Sequence, residues 1–302
     1  MDDVDAEMDD GGRIGGGGRK VENEDDGIVH EFDFISCGGR GRRNDYHAEE
    51  GDYDADEEGN RPTVLIRELP IANADDPFGR SPIEDTTGLG IWCASVVMSR
   101  WMASCDMVRR MRGMSIIELG AGCGAPSITA AVYGRPRSVT ISDLNPDTIE
   151  NARYNIGLNR LDRAYDDDDD GDALDRTFVT ATSIDWADES TYPISNGKFD
   201  YVICSDCIYQ RDIAHLLRRA VAGLLDPDRG TFLYVAPMGG RDGLEEFISE
   251  MKSDGGFECI RSEIAPDQYR ENPLRSGDEE DFFLHFHELT SNMYVLYEFR
   301  RR

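Results

Sequence analysis

The sequence predicts an α/β fold: a doubly wound sheet, mostly parallel, with helices on both faces and antiparallel pairing at its C-terminal edge. Three observations predict it. From residue 115 onward, short runs rich in β-branched and aromatic residues alternate with segments of helical periodicity, the pattern of a parallel sheet joined by helical crossovers. The first of these strands runs into a glycine-rich turn, "ELGAGCGA" (118–125), at the place where such a sheet presents its ligand loop. The last two strands follow one another without a helical segment between them, as an antiparallel edge pair would.

The elements follow in order. Residues 1–60 are rich in Asp, Glu and Gly and poor in apolar side chains. Such a segment cannot bury enough surface to offset its chain entropy and is expected to be disordered. Within it, "IVHEFDFI" (28–35) can pair as a strand. The folded domain is expected over 61–302, opening with the strand-like "TVLIRELPI" (63–71) and a loop, "ANADDPFGRSP". "TTGLGIWCASVVMSRWMASC" (86–105) reads as one helix, with Ile91, Ala94, Met98 and Trp101 on an apolar stripe and Thr86 or Thr87 as its cap.

Strands are then expected at 115–121, 138–144, 177–185, 199–206, 230–237, 257–265 and 292–301. Helices are expected at 125–134, 146–158, 213–225 and 243–253. "AYDDDDDGDALD" (164–175) reads as a solvated acidic loop, since the run Asp166–Asp170 repels itself and has no place in a core.

Composition narrows the function. A formal net charge of -29 argues against non-specific binding to nucleic acid, whose phosphates need a basic footprint. It suits a basic protein partner, besides serving solubility. The opening residues are acidic, unlike a secretory signal, and the seven cysteines are scattered and odd in number. The expectation is a reduced, intracellular protein, cytoplasmic or nuclear, acting as a monomer. No apolar run approaches the ~18 residues of a membrane span. Cys204 and Cys207 make a single C-x-x-C without a second pair at zinc spacing, and His285 and His287 flank Phe286 with no partner pattern. No metal site is expected.

The glycine turn admits two cofactor classes. Gly120, Gly122 and Ala125 satisfy the dinucleotide fingerprint G-x-G-x-x-G/A, and Asp143 stands at the distance of a ribose-binding acid. Glu118 makes the turn E-x-G-x-G-x-G, however. A carboxylate so close would repel a pyrophosphate and suit a cofactor with a cationic end, such as the sulfonium and ammonium of S-adenosylmethionine.

"ELGAGCG", "ISDLN", "SIDW" and "FDYVICSDCIY" resemble the motifs of the seven-strand, Rossmann-like S-adenosylmethionine-dependent methyltransferases. More narrowly, the chain resembles the protein-lysine methyltransferases that carry D-x-x-Y after the fourth strand, here Asp206 to Tyr209, and G-x-x-x-W upstream, here Gly88 to Trp92. The likeness covers about residues 63–302.

The resemblance implies methylation of a lysine on another protein. It implies that Glu118, Gly120 and Gly122 line the methionine end of the cofactor and that Asp143 takes the ribose hydroxyls. Trp186 would lie near the adenine, Ser205 would flank the cofactor, and Trp92 would close the pocket from the N-terminal helix. Asp206 and Tyr209 would face the acceptor as catalytic residues. "VAPMGGRDG" departs from the arginine-containing stretch of several relatives, and 266–288 matches no substrate pattern. A small-molecule N-methyltransferase and a non-catalytic binding module on the same fold are the alternatives.

Overall fold

A computed structural model describes residues 27–34, 62–71, 84–162, 177–253, 256–275 and 286–302. Nine strands and seven helices form among them: β1 (Ile28–Phe32), β2 (Val64–Glu68), α1 (Cys93–Met102), α2 (Cys105–Met111), β3 (Ser115–Glu118), α3 (Ala125–Gly134), β4 (Ser138–Asp143), α4 (Pro146–Leu158), β5 (Phe178–Ser183), β6 (Tyr201–Ser205), α5 (Ala214–Leu224), β7 (Thr231–Pro237), α6 (Leu244–Ser253), β8 (Phe257–Ile264), α7 (Phe286–Ser291) and β9 (Tyr294–Arg301). The acidic loop 164–175 and most of 1–60 lie outside the described residues.

Seven strands make the main sheet in the order β5-β4-β3-β6-β7-β9-β8. The first five are parallel, and β9 runs antiparallel to both β7 and β8. The C-terminal strand is therefore the antiparallel one, as expected, but it lies one place in from the edge. A short helix, α7, which the sequence reading did not include, precedes it.

The central strands are apolar along their whole length because both their faces are covered. Ile116, Ile203, Leu233 and Val235 face one core, with α1, α2 and α3 over it. Ile117, Val202, Cys204, Phe232 and Tyr234 face the other, under α5 and α6. Strand order reverses between β3 and β6, and the loops leaving their carboxyl ends open onto a shared crevice.

The helix expected over 86–105 is divided. Thr87–Leu89 form a single 3-10 turn, the backbone is extended at Gly90 and Trp92, and α1 starts only at Cys93. Neither Thr86 nor Thr87 caps α1. The Ile91 N–H is taken instead by Glu68 Oε1 at 3.0 Å. The chain breaks again at Ser104, whose hydroxyl accepts from the Met107 N–H and caps a separate α2.

The segment 28–35 does yield a strand: β1 pairs antiparallel with β2, from Ile28 opposite Glu68 to Phe32 opposite Val64. The other edge of β2 meets no strand among the described residues. Asn155 and Asn159 on α4 each accept and donate across that edge, Asn155 with Arg67 N (2.7 Å) and O (3.2 Å), Asn159 with Leu65 N (2.9 Å) and O (2.7 Å). Asn151 is a second amide donor to the Arg67 carbonyl, at 3.1 Å, and accepts the Arg67 Nε at 2.8 Å. Spaced four apart, these side chains share one helical face and supply the hydrogen bonds a neighbouring strand would have made.

Candidate functional site

The crevice holds a cavity of about 430 Å³. Its floor is the turn after β3. Gly120, Gly122 and Gly124 all have positive φ, at 57°, 54° and 77°. A Cβ at Gly120 would stand 2.6 Å from the Cys207 sulfur, and one at Gly122 would stand 3.0 Å from the Gly88 carbonyl oxygen. Both positions thus demand glycine for conformation and for space. Gly88 returns the contact, lying against Gly122 and the Thr148 side chain. That close approach explains the first member of G-x-x-x-W. The second, Trp92, is the N-cap of α1, and its indole N–H donates back to the Thr87 carbonyl at 2.9 Å.

Eight of the nine expected site residues line this cavity: Trp92, Gly120, Gly122, Asp143, Trp186, Ser205, Asp206 and Tyr209. Trp92 does so from the start of α1 rather than from within a helix. Glu118 does not line it. Its side chain is fully buried beneath the glycine turn, where Oε2 accepts from the Ser127 N–H at 3.0 Å. The N-cap of α3 is Gly124, which has no side chain to offer, so Glu118 supplies the missing cap from the strand. Burial pushes its carboxyl up to about 8, against the pull of the Ser127 hydrogen bonds. Glu118, expected at the methionine end of the cofactor, here shapes the turn from behind.

Asp143 closes β4. Its Oδ2 accepts from the Gly122 N–H at 3.0 Å, and its Oδ1 from those of Leu144 (2.8 Å) and Asn145 (3.2 Å). Burial raises its pKa, and these donors oppose the rise. Asp206 follows β6 with φ at 52°, a left-handed conformation that aspartate tolerates better than most residues. Its carboxylate meets Arg241 through two bonds, Nε to Oδ1 at 2.8 Å and Nη2 to Oδ2 at 2.7 Å. Burial raises the Asp206 pKa and Arg241 counters it. The Tyr209 hydroxyl donates to Asp85 Oδ2 at 2.7 Å, while Asp85 Oδ1 accepts from the N–H and hydroxyl of Thr87. Burial, then Asp85, raises the phenol pKa, so Tyr209 stays neutral.

Arg241 and Asp85 are site residues the sequence reading missed. Arg241 lies inside the quoted "VAPMGGRDG", but only the fold brings it to Asp206. Asp85 precedes the G-x-x-x-W motif by three residues and carried no signal of its own. Among the described residues that line the cavity, Asp85, Asp143, Asp185 and Asp206 face one cation, Arg241. The acidic surplus expected from Glu118 is thus provided by other residues. No group of residues able to hold a metal occurs among those described; His287 is exposed, and His285 lies outside them.

A doubly wound sheet with an acid-lined cavity over a glycine turn defines a methyltransferase-type domain rather than a pyrophosphate-binding one. The fold is similar to that of a Streptococcus mutans protein described as a SAM-dependent methyltransferase, at a TM-score of 0.50 and 13% identity over 78% of this chain and 53% of that one. Residues 81–254 match the lysine methyltransferase family, and the chain belongs to that family. It is 30% identical over 199 residues to a calmodulin-lysine N-methyltransferase of Arabidopsis thaliana, covering 65% of this chain and 60% of the relative. It is also 30% identical over 155 residues to the human protein-lysine N-methyltransferase EEF2KMT, covering 50% of this chain and 45% of that protein. The chain therefore spans only about half the length of these two relatives.

Proposed function

We propose that this chain is an S-adenosylmethionine-dependent methyltransferase acting on a lysine side chain of another protein. The observation that carries the proposal is the convergence, in one cavity, of the Asp143-braced glycine turn with Asp206 and Tyr209. The names of both relatives, which specify protein lysines, support the acceptor. The cytoplasmic or nuclear placement and the monomeric state belong to the same proposal. No described helix is long and apolar enough to cross a membrane.

The cavity suits the cofactor. Gly120 and Gly122 leave a cradle that a Cβ would fill, and the surrounding carboxylates favour a cationic ligand. The glycine turn would hold its methionine end and Asp143 its ribose, Trp186 and Ser205 would flank it, and Trp92 would close over it. When bound, S-adenosylmethionine supplies an activated methyl group on a sulfonium.

The protein's share is to position the acceptor and keep water out. Asp206 attracts the acceptor's ammonium. Tyr209 donates its proton to Asp85, and its phenol oxygen would accept an N–H from the amine and orient its lone pair. A lysine is about one part in a few thousand neutral at pH 7, and burial in the cavity raises that fraction. Its proton leaves to solvent before transfer, so neither Asp206 nor Tyr209 need act as a general base.

The test is incubation of the protein with cell lysate and methyl-labelled S-adenosylmethionine. A labelled protein band is expected, mapping to lysine. Asp206→Asn keeps the left-handed turn and removes the charge. It should abolish the band while S-adenosylhomocysteine affinity, by calorimetry, stays within a few-fold. Label confined to small molecules would replace the protein substrate with a metabolite. Failure to bind S-adenosylhomocysteine would reduce the fold to a non-catalytic module.

A further inference from the structure

Asp206 is the anion expected to meet an acceptor's ammonium, yet its carboxylate is already fully matched. Arg241 holds both oxygens in a fork, the strongest geometry a side-chain cation can offer a carboxylate. The two partners differ in how they are held. Asp206 leaves β6 with its N–H bonded to the Val235 carbonyl at 2.8 Å, and its side chain is only 9% exposed. Arg241 stands on the connection between β7 and α6, "MGGRDG" (238–243). Gly240 and Gly243 there have positive φ, and a Cβ at Gly239 or Gly240 would meet nothing within 4 Å. Met238, at the root of this arm, is exposed. The anion is thus built into the sheet, and the cation is carried on a connection that is open at Gly239 and Gly240 and held at its far end, where Asp242 pairs with Arg211 and Gly243 packs against it.

The other carboxylates of the cavity wall are engaged differently. Asp85 takes Thr87 and the Tyr209 hydroxyl, Asp143 takes three backbone N–H groups, and Asp185 takes the Ala187 N–H. Among the described residues none of the three has a cationic side-chain partner that an incoming amine could replace. Of the four, Asp206 is the one matched by a cationic side chain among the described residues.

We propose that Arg241 is an exchangeable counter-ion: it occupies the acceptor-cation position on Asp206 and yields it when a substrate amine arrives. This deepens the reading of the cavity as an amine-accepting site and rests on it. The exchange conserves charge, one cation replacing another on the same carboxylate, and so avoids leaving Asp206 buried without a partner. It also makes the site selective. A small free amine brings little binding energy beyond its own ammonium and competes poorly with a bidentate guanidinium. A lysine on a protein surface is delivered with contacts made elsewhere, and those contacts drive Arg241 off. The residue would therefore set acceptor class, admitting protein lysines and rejecting free amines, by obstruction rather than by attraction.

The probe is n-butylammonium, the end of a lysine side chain without its backbone, titrated into the full chain and followed by chemical-shift changes. Arg241→Met keeps the stem and removes the fork. Binding should tighten at least about tenfold over the wild type, with Arg241→Lys in between. The double variant Arg241→Met/Asp206→Asn should lose what the single variant gained. Weaker or unchanged binding in Arg241→Met, or no response in either protein, would overturn the exchange and leave Arg241 as a brace for Asp206. S-adenosylhomocysteine titrated into the same samples reports the fold and the cofactor site. Its failure to bind the wild type would sink the methyltransferase reading, while the amine titration would still decide the exchange.

Discussion

Glu118 holds a buried carboxyl that solvent does not reach and that no cation among the described residues meets. Its folded-state value of about 8 lies above its ordinary 4.5. Between those pH values the unfolded chain has released the proton and the folded chain retains it. Stability from this group is therefore full below about pH 4.5 and falls as pH rises toward 8, by a few kcal/mol at most. Glu118→Gln still accepts the Ser127 N–H and has no charge to lose. Its unfolding free energy should vary less between pH 5 and 8 than that of the wild type, by chemical denaturation without cofactor. Parallel curves would mean Glu118 is ionised in the folded state. The residue also shows the limit of sequence reading at this scale. Asp143 was legible because its distance beyond the glycine turn is that of a ribose-binding acid. Glu118 ends a strand, but the helix N-terminus behind it claimed the side chain, and nothing in "ELGAGCG" reveals that direction. Arg241 was illegible for another reason: its pairing with Asp206 spans 35 residues and depends on where β7 lies.

Among the elements, α4 and β2 form the least anticipated contact. Asn151, Asn155 and Asn159 are polar residues at helical spacing, a pattern that ordinarily marks a solvated face. Here that face is covered, and Asn151 and Asn155 are fully buried. Asn155→Leu keeps the volume but strands the Arg67 N–H. It should cost about 1–3 kcal/mol, measured by denaturant unfolding, and the Arg67 amide should exchange its hydrogen faster. A loss below about 0.5 kcal/mol would mean that water or a neighbour replaces the amide. The existence and order of the strands and long helices were legible from periodicity, and α3 and α4 match their expected ranges to the residue. The division of 86–105 was not. The apolar stripe continues across the break, and only the Glu68 carboxylate, brought by β2, shows why Ile91 leaves the helix.

For the molecule as a whole, charge is the dominant fact. Asp and Glu number 61 against 32 Lys and Arg, so compaction works against self-repulsion. Raising sodium chloride from about 20 to 300 mM shortens the Debye length several-fold and should raise the melting temperature by a few degrees. A flat response would mean the charges already lie too far apart to matter. The overall topology was legible because alternation of strand and helix leaves a parallel sheet few ways to connect. The place of β9 was not, since periodicity identifies a strand without saying between which neighbours it inserts.

The asparagines of α4 grip β2 by its main chain, and this separates two kinds of mutational tolerance. A ladder that binds only N–H and C=O is blind to which side chain stands at Leu65. That position is free to vary over evolution or in a library without disturbing the helix. Proline is the exception, because it has no hydrogen to give. A substitution scan of β2 should therefore find position 65 permissive to nearly every residue and closed to proline, a grammar set by the backbone rather than by hydrophobicity.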